Sequence, residues 1–315
     1  MHTKPGSSRN RASIFSGLCT AVRARYSFSM RRSLVASLLV GLAACAGAPA
    51  APPAGSSAPP ATRTLLTMRG KILVDDGGRG GIPVLFVHGA GGDRTVWSEQ
   101  LAHVRKTRRA VAIDLPGFGQ SDPPRDGKRT PEALGEDLGR VADALGVSRF
   151  VLVVHDFAGT LATAYASRHP LRVAGILFVD AYTGRIDRTP AVLTAETQAF
   201  TAERRAGTVA LRYGPLLEGA RASTRQRVQA ALDATSRESM LAAAMAVLQS
   251  DSVAELSRFK GPRRALAASQ LVLKGIQADV EGLPYRKVQG TSHWIMLDQP
   301  GEVDAELDAL LAQVK

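Results

Sequence analysis

The stretch Phe150-Val-Leu-Val-Val-His-Asp-Phe-Ala-Gly159 decides the fold. Phe150 to Val154 is a continuous apolar run, the pattern of a strand buried on both faces of a parallel sheet. A sharp turn follows, and an apolar-periodic helix begins near Phe157. A side chain at the centre of such a turn stands above the sheet in the manner of a nucleophile elbow, whose usual form is Gly-x-Ser-x-Gly. Asp156 holds the centre here, with Val154 two residues before it and Ala158 two after. Small residues are wanted where strand and helix backbones approach. Ala158 and Gly159 meet that need, and Val154 fits it more loosely. Two readings of Asp156 stand open on this stretch alone: a nucleophile, or the N-cap of the helix, a position that Asp favours.

Outward from this centre the chain alternates strand and helix, the signature of an α/β domain. Two short strands are expected through Arg63 to Val74, with a turn at Asp75-Asp-Gly-Gly78. Pro83-Val-Leu-Phe-Val-His-Gly-Ala-Gly-Gly92 reads as a buried strand running into a glycine-rich loop whose backbone amides are free to bind an anion. His88 is read as holding that loop by hydrogen bonding. A helix over Thr95 to Val104, a strand over Ala110 to Ile113 and a helix opened by Pro131 and running to about Leu145 complete the first half. Ser121, in Asp114-Leu-Pro-Gly-Phe-Gly-Gln-Ser-Asp122, reads as structural. After the central helix, Val173 to Ala181 is another buried strand, ending at Asp180. Tyr182 to Leu256 is rich in Ala and Arg and patterned for helices, with one break at Tyr213-Gly-Pro215. Two registers remain for the last strands. One places a strand at Leu271 to Lys274 and makes Asp279 a candidate acid. The other, preferred, places strands at Arg264 to Ala268 and Tyr285 to Val288, with a helix over Ser269 to Gly282 that carries Asp279. His293 follows the turn at Gly290, and a terminal helix runs through Val303 to Leu311.

The net charge of +12 over 315 residues invites a nucleic-acid reading, but its distribution argues against one. Ten basic residues and no acidic ones precede Asp75, which leaves 30 basic against 28 acidic residues over the remainder. Both cysteines, Cys19 and Cys45, precede the globular part, so the domain has no disulfide and no thiol nucleophile. No His/Cys cluster marks a metal site, and no cofactor is expected. Residues 30–45 carry a charged start, a short apolar run and small residues ending in Leu42-Ala-Ala-Cys45. The apolar run is too short to span a bilayer. Its ending resembles a bacterial lipobox, which implies an exported lipoprotein lipidated at Cys45; an ordinary signal peptide is the alternative. Met30 is then the expected start, with residues 1–29 an over-extension. Arg31-Arg32 is a weak hint of twin-arginine export. Residues 46–62, almost all Ala, Pro, Gly and Ser, read as a tether between membrane and a domain over 63–315.

From about residue 64 onward the chain resembles the α/β-hydrolase superfamily. His88-Gly-Ala-Gly-Gly92 is similar to its oxyanion loop, the Asp156 stretch to its elbow, and His293-Trp294 with Asp298, Pro300 and Glu302-Val303 to its histidine loop. The resemblance implies a mostly parallel sheet flanked by helices, with a helical cap over about 182–258. It implies the order nucleophile, acid, histidine, here Asp156, Asp180 and His293. Aspartate in the elbow points to haloalkane dehalogenases and epoxide hydrolases. Phe157 and Ala90 stand where dehalogenases carry halide-binding side chains, and Gly91 where epoxide hydrolases carry proline. Tyr182, Tyr213 and Trp294 are candidate cap or substrate contacts. The expected chemistry is attack by Asp156 on an sp³ carbon to form an ester, hydrolysed by water that His293 deprotonates while Asp180 orients it. The amides of Ala90 and Phe157 would hold the oxyanion, about 3–4 kcal/mol per donor. A binding protein on an inactive hydrolase fold, and an esterase-like or lyase-like enzyme with Asp156 as base, are the alternatives. The expected partner is a small-molecule substrate.

Overall fold

The computed structural model describes residues 61–182, 189–201, 203–268 and 275–315. The leader, Cys45, most of the expected tether and the alternative strand at Leu271 to Lys274 lie outside the described residues.

The strands are β1 (Ala61–Thr67), β2 (Gly70–Gly77), β3 (Val84–Val87), β4 (Ala110–Ile113), β5 (Phe150–His155), β6 (Val173–Val179), β7 (Arg263–Ala268) and β8 (Tyr285–Val288). They form one sheet in the order β1-β2-β4-β3-β5-β6-β7-β8. β2 runs antiparallel to both neighbours, and every later pairing is parallel. The apolar runs of β3, β4, β5 and β6 are buried throughout because helices cover both faces. Alternate residues feed two cores. Leu85, Val87, Leu152, Val154, Ile176 and Phe178 face one. Val84, Phe86, Val151, Val153, Leu177 and Val179 face the other.

The helices are α1 (Ser98–Val104), α2 (Pro131–Ala144), α3 (Ala158–Arg168), α4 (Pro190–Ala199), α5 (Arg205–Tyr213), α6 (Ala222–Ala234), α7 (Arg237–Gln249), α8 (Ser252–Arg258), α9 (Ile276–Asp279), α10 (Ile295–Asp298) and α11 (Pro300–Leu311). Thr130 caps α2 through its side chain, and Pro131 occupies the first turn, where no amide donor is needed. Successive strands add on one side of β3 and then on the other. Ligands of open α/β sheets gather at such a switch point, beyond the carboxyl ends of the strands. Here β3 and β5 pair side by side, Val87 opposite Val154, and deliver His88 and Asp156 to that crevice.

Four expectations change. The turn placed at Asp75–Gly78 is largely strand, because Asp75, Asp76 and Gly77 pair with Ala112, Val111 and Ala110 of β4. Asp76 is fixed there by Arg63 and Arg109, at 2.7 and 2.8 Å. Ala61 and Thr62, expected in the tether, already pair in β1. The helix expected over Ser269–Gly282 is, among the described residues, the single turn α9; Gly275 before it is extended and bridges to Tyr182. The cap region also breaks more often than its one Gly-Pro signal. α4 to α7 are separate helices, and α8 packs beneath on α3, where Thr163 bonds to Ser252 and Glu255 at 3.1 and 2.9 Å.

Gly159 marks the tightest approach of α3 to the end of β6. A Cβ there would lie 2.8 Å from Ala181 Cβ and 3.1 Å from the Tyr182 carbonyl oxygen. Gly159→Ala is expected to lower stability by about 1–3 kcal/mol through overpacking. Gly207→Ala, in α5 with nothing within 4 Å of the added carbon, should be neutral or gain about 0.5–1 kcal/mol. Urea midpoints of the two variants check this, and equal midpoints would refute the packing account of Gly159.

Candidate active site

The turn after β5 forces Asp156 into left-handed backbone conformation, φ 57°, rare for a residue with a Cβ. The conformation lifts its carboxylate above the sheet, where it is only 4% exposed. Asp156 is thus no N-cap: Phe157 holds that position and caps with no side chain. The amide of Ala90 donates to Asp156 Oδ2 at 2.7 Å. This contact needs Gly89, where a Cβ would stand 2.5 Å from Asp156 Cβ and 2.6 Å from His155 Nδ1. Phe157, the other expected oxyanion residue, is the N-cap of α3, its buried ring 5.8 Å from that of Phe118.

Asp180 leaves β6 with φ 44°, the other strained non-glycine position among the described residues. The Ala268 amide donates to its Oδ1 at 3.0 Å, and its Oδ2 lies 2.7 Å from His293 Nδ1. The opposite ring nitrogen, Nε2, lies 3.8 Å from Asp156 Oδ1, too far for a hydrogen bond, and has no partner among the described residues. The structure therefore brings Asp156, His293 and Asp180 together in one line. Asp279, the acid of the discarded register, ends α9.

Electrostatics follows from this geometry. Burial alone pushes the His293 imidazole toward neutrality, but the carboxylates of Asp156 and Asp180 outweigh it and raise its pKa to about 9. Tyr182 stacks on His293 at 5.6 Å between centroids and 14° between planes. Its buried hydroxyl has no hydrogen-bond partner among the described residues, and burial followed by the charge of Asp156 holds it protonated well above the phenol range. Tyr213 at the end of α5 is held protonated by the same two causes. Trp294 is buried edge-on to His293, 5.1 Å between centroids.

Around these groups lies a support that sequence reasoning left unassigned or read only in part. His88 accepts from the Leu115 amide through Nε2 at 3.0 Å and donates through Nδ1 to Gly89 O at 2.7 Å, tying the two glycine loops together as expected. Ser121 is structural too: its Oγ donates to Asp114 O at 2.8 Å. His155 was not singled out. Its ring lies 4.4 Å from that of His293, and its Nε2 donates to the His293 carbonyl oxygen at 3.1 Å. Burial, then the neighbouring charge of His293, keeps His155 neutral. Asp298 was read only as part of the histidine loop. It accepts from the amides of Ser292 at 2.9 Å and of Arg221, in the cap, at 3.0 Å. The His293 amide in turn donates to the cap carbonyl of Leu216 at 3.0 Å. The one available signal was an acidic residue five positions after the histidine.

A family model described as the alpha/beta hydrolase fold matches residues 82–259. The 2-hydroxymuconate semialdehyde hydrolase of Pseudomonas putida is 34% identical over 128 residues, 40% of this chain and 45% of that protein. Epoxide hydrolase 3 of Xenopus tropicalis is 41% identical over 99 residues, 31% of this chain and 27% of its own length. The chain spans less than half the length of these curated relatives. A thermophilic esterase from Thermogutta terrifontis superposes with a TM-score of 0.70 at 21% identity, over 80% of this chain and 98% of that one. At that identity the likeness is one of fold. A family model over more than half of its length, joined to the sheet order and the elbow, settles the matter: the chain belongs to the α/β-hydrolase fold family.

Proposed function

We propose that this chain is an aspartate-nucleophile hydrolase that opens an epoxide through an alkyl-enzyme ester. The observation that carries the reading is the carboxylate of Asp156, held by the Ala90 amide on Oδ2 while Oδ1 faces His293 Nε2 at 3.8 Å. Epoxide is favoured over alkyl halide by two protonated tyrosine hydroxyls, Tyr182 and Tyr213, in the field of Asp156. The residues at the halide-binding places, Phe157 and Ala90, offer no side-chain donor.

In the first step Asp156 Oδ1 attacks an epoxide carbon, the carbon–oxygen bond breaks, and the released alkoxide takes a proton from a tyrosine. Ester formation removes the negative charge of Asp156. One of the two charges that keep His293 protonated is then gone, so the imidazolium gives its proton to the tyrosinate and becomes a base when a base is needed. His293 removes a proton from water, and the hydroxide attacks Cγ of Asp156. Negative charge develops on Oδ2, where the Ala90 amide already points. Collapse expels the diol oxygen, which takes the proton from His293. The proton left on the Asp156 carboxylic acid passes to His293, which restores the imidazolium and the carboxylate of the resting site.

We also propose export and anchoring through lipid on Cys45, a reading that rests on the leader sequence alone. Cys45→Ser is expected to move the protein from the membrane fraction to the soluble one. An unchanged distribution, or an unmodified Cys45 by mass spectrometry, would count against it.

The chemistry is tested by a single turnover of epoxide in ¹⁸O-water with peptide mapping. Label is expected in the peptide holding Asp156 and not in the first diol released. Label in the diol alone would sink the ester and leave Asp156 as a base. Asp180→Asn should lower kcat on the order of 10³–10⁴-fold by loosening the orientation of His293; unchanged turnover would remove Asp180 from the site.

The histidine titration gives a separate check. In Asp156→Asn the His293 ring should titrate below the value of about 9 set by both carboxylates, read by NMR; an unmoved titration would refute the charge coupling. Because the folded value lies above the ordinary 6.5, His293 stabilises the fold fully below pH 6.5. That contribution is lost as pH rises through about 9. The fall in denaturation midpoint over this window should shrink in His293→Gln.

A further inference from the structure

A cavity of about 680 Å³ opens in the cap between α5 and α6, a volume within the ~300–1,000 Å³ of small-molecule sites. Its walls include Val209, Leu217 and Leu232, all buried members of the core, so the interior is apolar. Its rim carries Arg225 and Gln229, both exposed on α6. Arg225 donates one N–H to Leu217 O at 2.8 Å and has no carboxylate partner among the described residues. Arg212 at the end of α5, by contrast, is paired with Glu196. An apolar cavity with one unneutralised guanidinium at the mouth suits an apolar body that ends in a planar anion.

Two residues join this cavity to the candidate active site. Tyr213 lines it and stands in the field of Asp156. Leu232 lines it and abuts the oxyanion loop, since a Cβ on Gly91 would fall 2.4 Å from Leu232 Cδ2. Asp156 itself does not line the cavity. Tyr213 and Leu232 thus link the wall of the cavity to the surroundings of Asp156.

We propose that the cavity is the outer compartment of the substrate site, that it takes the hydrocarbon chain of a substrate with a terminal carboxylate, and that Arg225 holds that carboxylate. This rests on the reading of Asp156 as the reacting group only for what happens at the far end of the chain. Binding in the compartment does not depend on it. The assignment narrows the substrate class to aliphatic acids whose reactive carbon lies a chain length away from the carboxylate.

The test is calorimetric titration of the full-length chain with octanoate and with octan-1-ol, repeated in Asp156→Asn. Octanoate should bind more tightly than octan-1-ol in both proteins. Arg225→Gln should weaken octanoate by about fivefold, the upper range for an exposed pair, and leave octan-1-ol unchanged. Ala210→Phe, an exposed position on the cavity wall, should weaken both. Equal affinity for acid and alcohol, no binding of either, or indifference to Arg225→Gln would overturn the carboxylate assignment. Indifference to Ala210→Phe would overturn the cavity. Octanoate bound normally by an enzyme whose Asp156 proves unlabelled would count against the ester chemistry and support the compartment, so the two failures are distinguishable.

Discussion

His293 sits between two carboxylates, and the candidate site depends on that placement. Asp180 takes one ring nitrogen at 2.7 Å and Asp156 faces the other at 3.8 Å. The same pair of charges that makes the ring a cation at neutral pH also makes it responsive. Whatever neutralises Asp156 lowers the proton affinity of its neighbour. The first chemical event proposed for the site is such a neutralisation. In the proposed reaction the base is thereby withheld until the ester forms, and the spacing of the two carboxylates supplies the delay.

Much of the sheet supports this arrangement. β3, β5, β6 and β7 end together, and each delivers one part: the loop whose Ala90 amide meets Asp156, Asp156 itself, Asp180 and the amide of Ala268 that fixes Asp180. Both aspartates lie at positive φ, at 57° and 44°, where a side chain with a Cβ costs about 1–3 kcal/mol. The buried strands that flank them on either side supply the packing that sustains such conformations.

The parallel core was legible because continuous apolar runs, glycine-rich turns and Pro131 each have a single physical reading. Asp156, Asp180 and His293 were legible by position, each just past the end of a buried strand or glycine turn. What escaped were contacts that span the chain. Nothing local in Val154-His155-Asp156 says that the His155 ring will meet residue 293, 138 positions away. The Asp75–Gly77 segment carries turn residues, yet pairing with β4 and arginines at 63 and 109 overrules them. The cap was least legible. Its helices are rich in alanine, so apolar period says little about which face is covered, and the ends depend on capping by Thr189, Ser236 and Asp251.

The ties between cap and histidine loop have a consequence for timing. The carbonyl of Leu216 holds the His293 amide, and Asp298 joins Ser292 to Arg221 across the same seam. A displacement of this part of the cap therefore also releases the backbone that aims the imidazole. If this part of the cap swings aside to admit a substrate of the proposed kind, the imidazole loses its backbone hold in the same movement, so admission and the proposed reaction exclude one another.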